Sequence, residues 1–247
     1  MLSEKELQIM RKNGKIHKSI FGAIKKMLAP WVWAKQVDDL AAKMCADAWV
    51  LSAFTWVYGY KYSLQTSVND VVVHGRPLSN IIFKEGDVVT IDFWVKDKKH
   101  GICTDAAFTV IIWDDTKFAN QKQFLKVGEK ALEKALEQAV AGNTVWDIGH
   151  AVETYVAKHW YHIIRDLTGH GVGKTLHEQP YIYNYGTPWT GVKLKAGMTL
   201  AIEPILWYSS GKITDEGDWE IYIENGSIGC QFEHTVLITD GKPEIIV

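Results

Sequence analysis

The sequence predicts an internally duplicated α+β fold, and three observations carry that expectation. An order of two helices followed by strands occurs twice along the 247 residues, no low-complexity linker separates the two passes, and a 47% hydrophobic content supplies one substantial core. Two passes do not make a solenoid, which needs three or more short units. The expected organisation is a single domain over residues 1–247.

Each element has a local reason. Ser3 and Glu6 have capping-box spacing, and Leu7, Met10, Ile16, Ile20, Ile24 and Met27 then recur every third or fourth residue until Pro30. A second helix starts near Gln36, with Val37, Leu40, Ala41, Met44 and Ala48 on one side. Apolar runs predict strands over 67–73, 88–95 and 105–113. In the second pass Phe118, Leu125, Leu132, Leu136 and Val140 mark a long helix closed by Gly142, and Thr144 opens another carrying Val145, Ile148, Val152 and Tyr155. Strands follow over 198–206, 220–224 and 232–239.

Composition excludes several function classes. Twenty-seven Lys+Arg against 29 Asp+Glu leave a net charge of -2, so no positive field exists to hold a nucleic acid or an anionic membrane. The longest uncharged stretch, from Gln179 to Val192, is interrupted by Pro180 and Pro188 and is shorter than the roughly 20 apolar residues of a spanning helix. The charged N-terminus does not read as a secretory signal, and a cytoplasmic location is expected. Cys45, Cys103 and Cys230 are scattered singletons, expected to be buried hydrophobes rather than a disulfide framework.

The chemistry lies in acids placed inside apolar strands. Asp92 sits within 88–95 and Asp105 opens the next strand, so the two carboxylates are expected to face each other across a β-hairpin. Glu203 and Glu233 occupy similar positions in later strands. Burying one such group without a partner costs several kcal/mol. The lysines and arginines fall mainly on the helices, so two divalent cations are the expected compensation for four converging carboxylates. His170, between Gly169 and Gly171, adds an imidazole. One nitrogen with four carboxylates is a hard donor set that suits Mn, Fe, Co or Zn. Singly, a histidine between glycines is more often a loop residue; the joint pattern reverses that reading.

That pattern includes Asn69 ahead of His74-Gly-Arg-Pro77, Ile91-Asp92, Thr104-Asp105, Gly169-His-Gly-Val-Gly173 with His177-Glu178, Ile202-Glu-Pro204 and Glu233-His-Thr235. In order and spacing, across nearly the whole chain, these motifs resemble the methionine aminopeptidase family of the pita-bread metallopeptidases, in its short bacterial form. The resemblance implies a pseudo-twofold fold whose central antiparallel sheet, flanked by helices, carries a dinuclear metal centre. It assigns Asp92 to one ion and His170 and Glu203 to the other, with Asp105 and Glu233 bridging the pair around a hydroxide. It makes Glu203 the proton shuttle and places His177 at the substrate carbonyl and His74 at the scissile amide. The implied activity is removal of the initiator methionine from peptides and nascent chains by a monomeric enzyme. A prolidase or X-Pro aminopeptidase is the neighbouring enzyme reading, and a peptide-binding paralogue without hydrolysis is the reading from another class.

The side-chain pocket implied by the resemblance comprises Phe54, Val57, Tyr58, Tyr60, Gln65 and Trp219. It departs from the family, which commonly places cysteines at the positions of Phe54 and Gln65. An amide there needs a hydrogen-bond partner, for which Tyr58 or Tyr60 is expected, and Gln65→Cys is expected to raise turnover. Small hydroxyl residues are usual in the family where Trp94, Ala106 and Ala107 stand, so hydrogen bonds supporting the ligands are expected to be missing. His17, His100, His150, His159, His162 and His234 receive no role; those in helices are expected to be exposed or packed. The eleven tryptophans are spread out and, apart from Trp219, are expected to serve core and rim packing.

Overall fold

The computed structural model describes residues 1–247 except 53, 55–58, 114, 115, 210 and 216. The first pass contains α1 (Glu4–Met27), α2 (Ala34–Asp47), β1 (Val50–Ser52), β2 (Leu64–Val68), β3 (Val71–Val73), β4 (Val88–Asp97) and β5 (Cys103–Ile111). The second contains α3 (Ala119–Gln138), α4 (Val145–Lys158), β6 (His162–Ile163), β7 (Thr168–Gly171), β8 (Glu178–Tyr183), β9 (Thr199–Ile202) and β10 (Ile205–Trp207). It ends with β11 (Ile213–Asp215), β12 (Ile221–Ile223), β13 (Gly229–Gln231), β14 (His234–Leu237) and β15 (Glu244–Ile245).

Caps fix the starts of α1 and α4, at the Ser3 and Thr144 positions the sequence predicts. The Ser3 hydroxyl accepts the Glu6 N–H, and the Glu6 carboxylate accepts the Ser3 N–H at 2.8 Å. Thr144 and Asp147 repeat the device at α4. The helix pairs then cover equivalent faces. Ile20, Ile24, Val37 and Ala41 pack on Ile91 and Phe93 of β4, whereas Phe124, Leu132, Ile148 and Val152 pack with Leu200, Ile202 and Val236 of β9 and β14. Among the described residues no helix is long and apolar enough to cross a membrane.

Among the described residues the strands form four antiparallel groups: β1-β4-β2 with β5 on β4, β13-β10-β6, β11-β12-β3, and β15-β14-β9-β7-β8. The run 67–73 is two strands, because Asn69 adopts φ 56° and turns the chain between β2 and β3. The run 198–206 is likewise split between β9 and β10 at Glu203-Pro204, where proline has no N–H for a ladder. The short strands β1, β6, β7, β8, β11, β13 and β15 were outside the sequence expectation. Segments of two to six residues carry too little alternation to signal themselves.

The two passes meet along β5. Gln231 N–H donates to the Thr109 hydroxyl (3.1 Å), Glu233 N–H donates to Ala107 O (2.9 Å), and Asp105 N–H donates to the Thr235 hydroxyl (2.8 Å), which itself donates to Asp105 O (2.7 Å). Residues 231–235 therefore run antiparallel to residues 105–109. The seam joins the first-pass strands to the second-pass sheet and puts both on one continuous surface.

Candidate active site

The register across this surface creates two adjacent rows. In the first, Asp92 pairs with Ala107, and Ala107 lies against Glu233. One step beyond the His234–Ile202 pairing, Glu233 stands across from Glu203. In the second row Trp94 pairs with Asp105, Asp105 bonds Thr235, Thr235 pairs with Ala201, and Ala201 pairs with His170. Asp92 and Asp105 are thus diagonal neighbours on one face and do not face each other across the hairpin. The small side chains Ala107 and Ala201 stand between the acids and leave room for them to converge.

Glycines flanking His170 allow the close approach of strands. A Cβ on Gly169 would lie 2.5 Å from Ala201 O, and one on Gly171 would lie 2.5 Å from Gln179 O. His170 belongs to β7 rather than to a loop. Its Nδ1 lies 2.9 Å from Gly171 O, an arrangement that puts the ring proton on Nδ1 and leaves Nε2 as a lone-pair donor. Nε2 is 3.7 Å from Asp105 Oδ2 and 3.6 Å from Glu203 Oε1. Ligand atoms of Asp105, His170 and Glu233 all lie within 4.8 Å of one another.

These groups open into a cavity of about 210 Å³. Its walls bring together Asp92, Asp105, His170, Glu203 and Glu233, both candidate histidines His74 and His177, and Phe54, Tyr60, Gln65 and Trp219 from the expected pocket. Val57 and Tyr58 lie outside the described residues. Phe54 and Trp219 each pack edge-on to Tyr60, at 5.8 and 5.0 Å between ring centroids, and form an aromatic wall beside the acids. His177 packs edge-on to His170 at 4.4 Å.

Electrostatics identifies what the site lacks. Among the described residues no Lys or Arg lines the cavity. Burial, followed by the neighbouring carboxylates, pushes Asp105, Glu203 and Glu233 well above the usual carboxylate range, and burial lifts Asp92 to about 7. Burial and the adjacent His177 lower His170 to about 4, which keeps the ring neutral and able to donate a lone pair. Asp92 Oδ1, Asp105 Oδ1 and Glu233 Oε1 are buried without a hydrogen-bond partner among the described residues. Orphaned acid oxygens around a neutral imidazole fit divalent cations.

Gln231 is a residue that sequence reasoning missed. Its amide donates to Glu203 Oε2 at 3.1 Å and Glu233 Oε2 at 3.5 Å, tying two of the acids together. The available signal was its position two residues before Glu233, on the same side of an extended segment. Gln65 also differs from expectation. Its carbonyl accepts the His74 N–H at 3.0 Å, whereas the Tyr60 hydroxyl donates to Leu64 O and Gly75 O.

Similarity to known proteins agrees with this geometry. Residues 8–240 match the family described as Metallopeptidase family M24. The chain is 34% identical to methionine aminopeptidase from Clostridium acetobutylicum over 99% of its own length and 96% of the relative's. It is 35% identical to methionine aminopeptidase 1 from Bacillus subtilis, covering 98% and 96%. The crystal structure of methionine aminopeptidase from Thermotoga maritima superposes with a TM-score of 0.94 at 37% identity, covering 99% and 97% of the two chains. Prolidase from Pyrococcus horikoshii shares the fold at a TM-score of 0.72 and 20% identity, with this chain covering 62% of it. A family match over nearly all of the chain, joined to a converging set of four acids and one imidazole, places this protein in metallopeptidase family M24, among the methionine aminopeptidases.

Proposed function

We propose that the protein is a metal-dependent aminopeptidase that removes the N-terminal methionine from peptides and nascent chains, acting as a cytoplasmic monomer with two divalent ions drawn from Mn, Fe, Co or Zn. The observation that carries the reading is the convergence of five ligand side chains with His74 and His177 on one cavity. Asp92 would hold one ion and His170 with Glu203 the other, with Asp105 and Glu233 shared between them. Bound there, divalent ions supply Lewis acidity that polarises a carbonyl and acidifies water.

The chain's own groups do the remaining work. Glu203, at the edge of the acid cluster, takes the proton of the attacking water and delivers it to the leaving amine. His177 orients the substrate carbonyl, and His74 orients the scissile amide. Phe54, Tyr60 and Trp219 give the departing residue's side chain an apolar wall, and Gln65 closes that side of the cavity.

The test is hydrolysis of Met-Ala-Ser and of Ala-Pro by metal-free protein supplemented in turn with Mn, Fe or Co. Cleavage of the methionine peptide alone is the expected result. Cleavage of Ala-Pro alone would assign a prolidase, and cleavage of neither under any metal would assign a peptide-binding module.

A further inference from the structure

Beside the cavity, β3 and β12 pair through Val73 and Ile221, so the segments 74–76 and 218–220 leave the same ladder rung side by side. One segment carries His74 and the other Trp219, both cavity residues. Arg76 spans the two. Its Nε donates to Glu220 Oε1 at 2.6 Å, its backbone N–H donates to the same oxygen at 3.2 Å, and its Nη2 donates to Asp218 Oδ2 at 3.0 Å. Glu220 is 5% exposed and Asp218 is largely in solvent, so the Glu220 contact carries most of the attachment.

We propose that Arg76 and Glu220 are positioning residues whose clasp holds Trp219 across the substrate side chain and so sets the affinity for the N-terminal residue. This rests on the proposed aminopeptidase reading. The neutral double variant Arg76→Met/Glu220→Gln removes the clasp without stranding a buried charge. It is expected to raise KM for Met-Ala-Ser by roughly 5- to 20-fold with kcat within about twofold, while Arg76→Lys retains most of the affinity. Amide exchange over residues 213–223 is expected to quicken in the double variant. Wild-type protein inactive on both test peptides would defeat the functional reading; unchanged exchange would overturn the clasp whatever the activity. With an active wild type, unchanged KM, or a fall in kcat alone, would also overturn it.

An independent observation concerns the backbone. Among the described residues seven non-glycine residues have positive φ: Asn69, His74 and five tryptophans, Trp31, Trp49, Trp113, Trp160 and Trp189, the tryptophans at φ of 59 to 73°. Asparagine tolerates this region, and Gln65 restrains His74, but a bulky aromatic residue gains nothing there and crowds its own carbonyl. The five indoles are 62 to 88% exposed, so no core packing offsets the strain. Backbone bonds lock the geometry: Trp31 N–H to Phe83 O at 2.9 Å, Trp49 N–H to Ala46 O and Trp160 N–H to Ala157 O, both at 3.1 Å. Trp49 and Trp160 stand two residues past the last helical residues of α2 and α4, where helices commonly end on glycine. Trp31 and Trp113 border one shallow groove, but the other three tryptophans do not line it, so a shared docking face does not account for the set.

We infer that these five are glycine positions, and that the chain carries glycine at all five when its own cell makes it. One codon accounts for the whole set: UGA, which some genetic codes read as tryptophan and others as glycine. Three measurements test this: the gene's codons, peptide sequencing by mass spectrometry of protein isolated from its natural source, and melting of a recombinant chain with all five Trp→Gly changes. The expected results are UGA at the five positions with UGG at Trp219, glycine in the natural peptides, and a melting temperature raised by several degrees or more. UGG codons at the five positions, tryptophan in the natural peptides, or a lower melting temperature for the glycine form would each overturn the inference.

Discussion

Gln65 holds His74 by its backbone: the side-chain carbonyl accepts the His74 N–H at 3.0 Å while His74 sits at φ 63°. A half-buried histidine is thereby kept in a conformation that non-glycine residues seldom adopt.

This attachment reverses the expectation for Gln65→Cys. A thiol is too short and too weak an acceptor to replace the amide, and an unsatisfied buried N–H costs about 1–3 kcal/mol. Gln65→Cys and Gln65→Ala are both expected to lower kcat/KM on Met-Ala-Ser by about tenfold, whereas Gln65→Glu, which keeps an acceptor, retains more. Steady-state kinetics at saturating metal decides it; a rise for the cysteine variant would show that pocket width outweighs the placement of His74.

Ligands and substrate-orienting residues are separable by metal content. Asp105→Asn and Glu203→Gln each remove a charge that balances the cations and are expected to abolish turnover with weakened metal binding. His177→Ala is expected to keep the wild-type metal stoichiometry while kcat falls, since its proposed contact is with the reacting carbonyl. Titration calorimetry with Mn or Co checks this, and metal loss in His177→Ala would move that residue into the ligand set.

Metal removal is expected to lower the melting temperature, with metal restoring about 2.7 kcal/mol at 100 times the dissociation constant for a single site. Its pH dependence follows from the acids. Folded-state pKa values above the unfolded ones mean that the metal-free protein holds protons the unfolded chain has released, a contribution complete below the unfolded pKa of about 4 and lost as pH rises through the folded values. Cations compete with those protons, so the gap in melting temperature between metal-loaded and metal-free protein is expected to widen from about pH 5 to pH 8. A gap that narrows over that range would contradict the placement of the ions among these acids.

His17 supplies a pH effect of opposite sign. It is fully buried, edge-on to Phe21 at 4.5 Å and Phe93 at 5.0 Å, with Nδ1 3.2 Å from the Thr104 hydroxyl. Burial pushes it down to about 3. Below an unfolded pKa of about 6.5 the unfolded chain binds a proton that the folded chain refuses, so stability is lost as pH falls from there toward the folded value. Denaturant titrations are expected to show His17→Phe losing about 1 kcal/mol less per pH unit than wild type between roughly pH 6 and pH 4. Parallel slopes would show that His17 is protonated in the folded protein.

The helices were legible because their signals are local. Ser3 with Glu6 and, in the second pass, Thr144 mark starts, and long 3.6-residue periodicity marks the buried faces. The acids were legible because Asp92, Asp105, Glu203 and Glu233 interrupt apolar runs, where an unpaired charge is costly. Register was not legible, since pairing Asp92 with Ala107 and Trp94 with Asp105 depends on which strands meet and where the turn falls. For the same reason Gln231 gave no sign of its contact with Glu203, 28 residues away in the chain. The Gln65 contact was hidden because its acceptor meets a backbone N–H, which every residue except proline offers.

The seam between β5 and residues 231–235 bears on how the protein is born. Asp105 N–H meets Thr235 across 130 residues of sequence, and Glu203 and Glu233 both belong to the second pass. A ribosome that has made only the first pass has exposed Asp92 and Asp105 with neither the imidazole nor the two later acids to complete the set. On the proposed ligand set, ions that arrive then meet two carboxylates in an unfinished sheet, and a product truncated before Glu233 is expected to stay inert however well its helices form. On the proposed ligand set, the site is therefore complete only once the second-pass strands have joined the first.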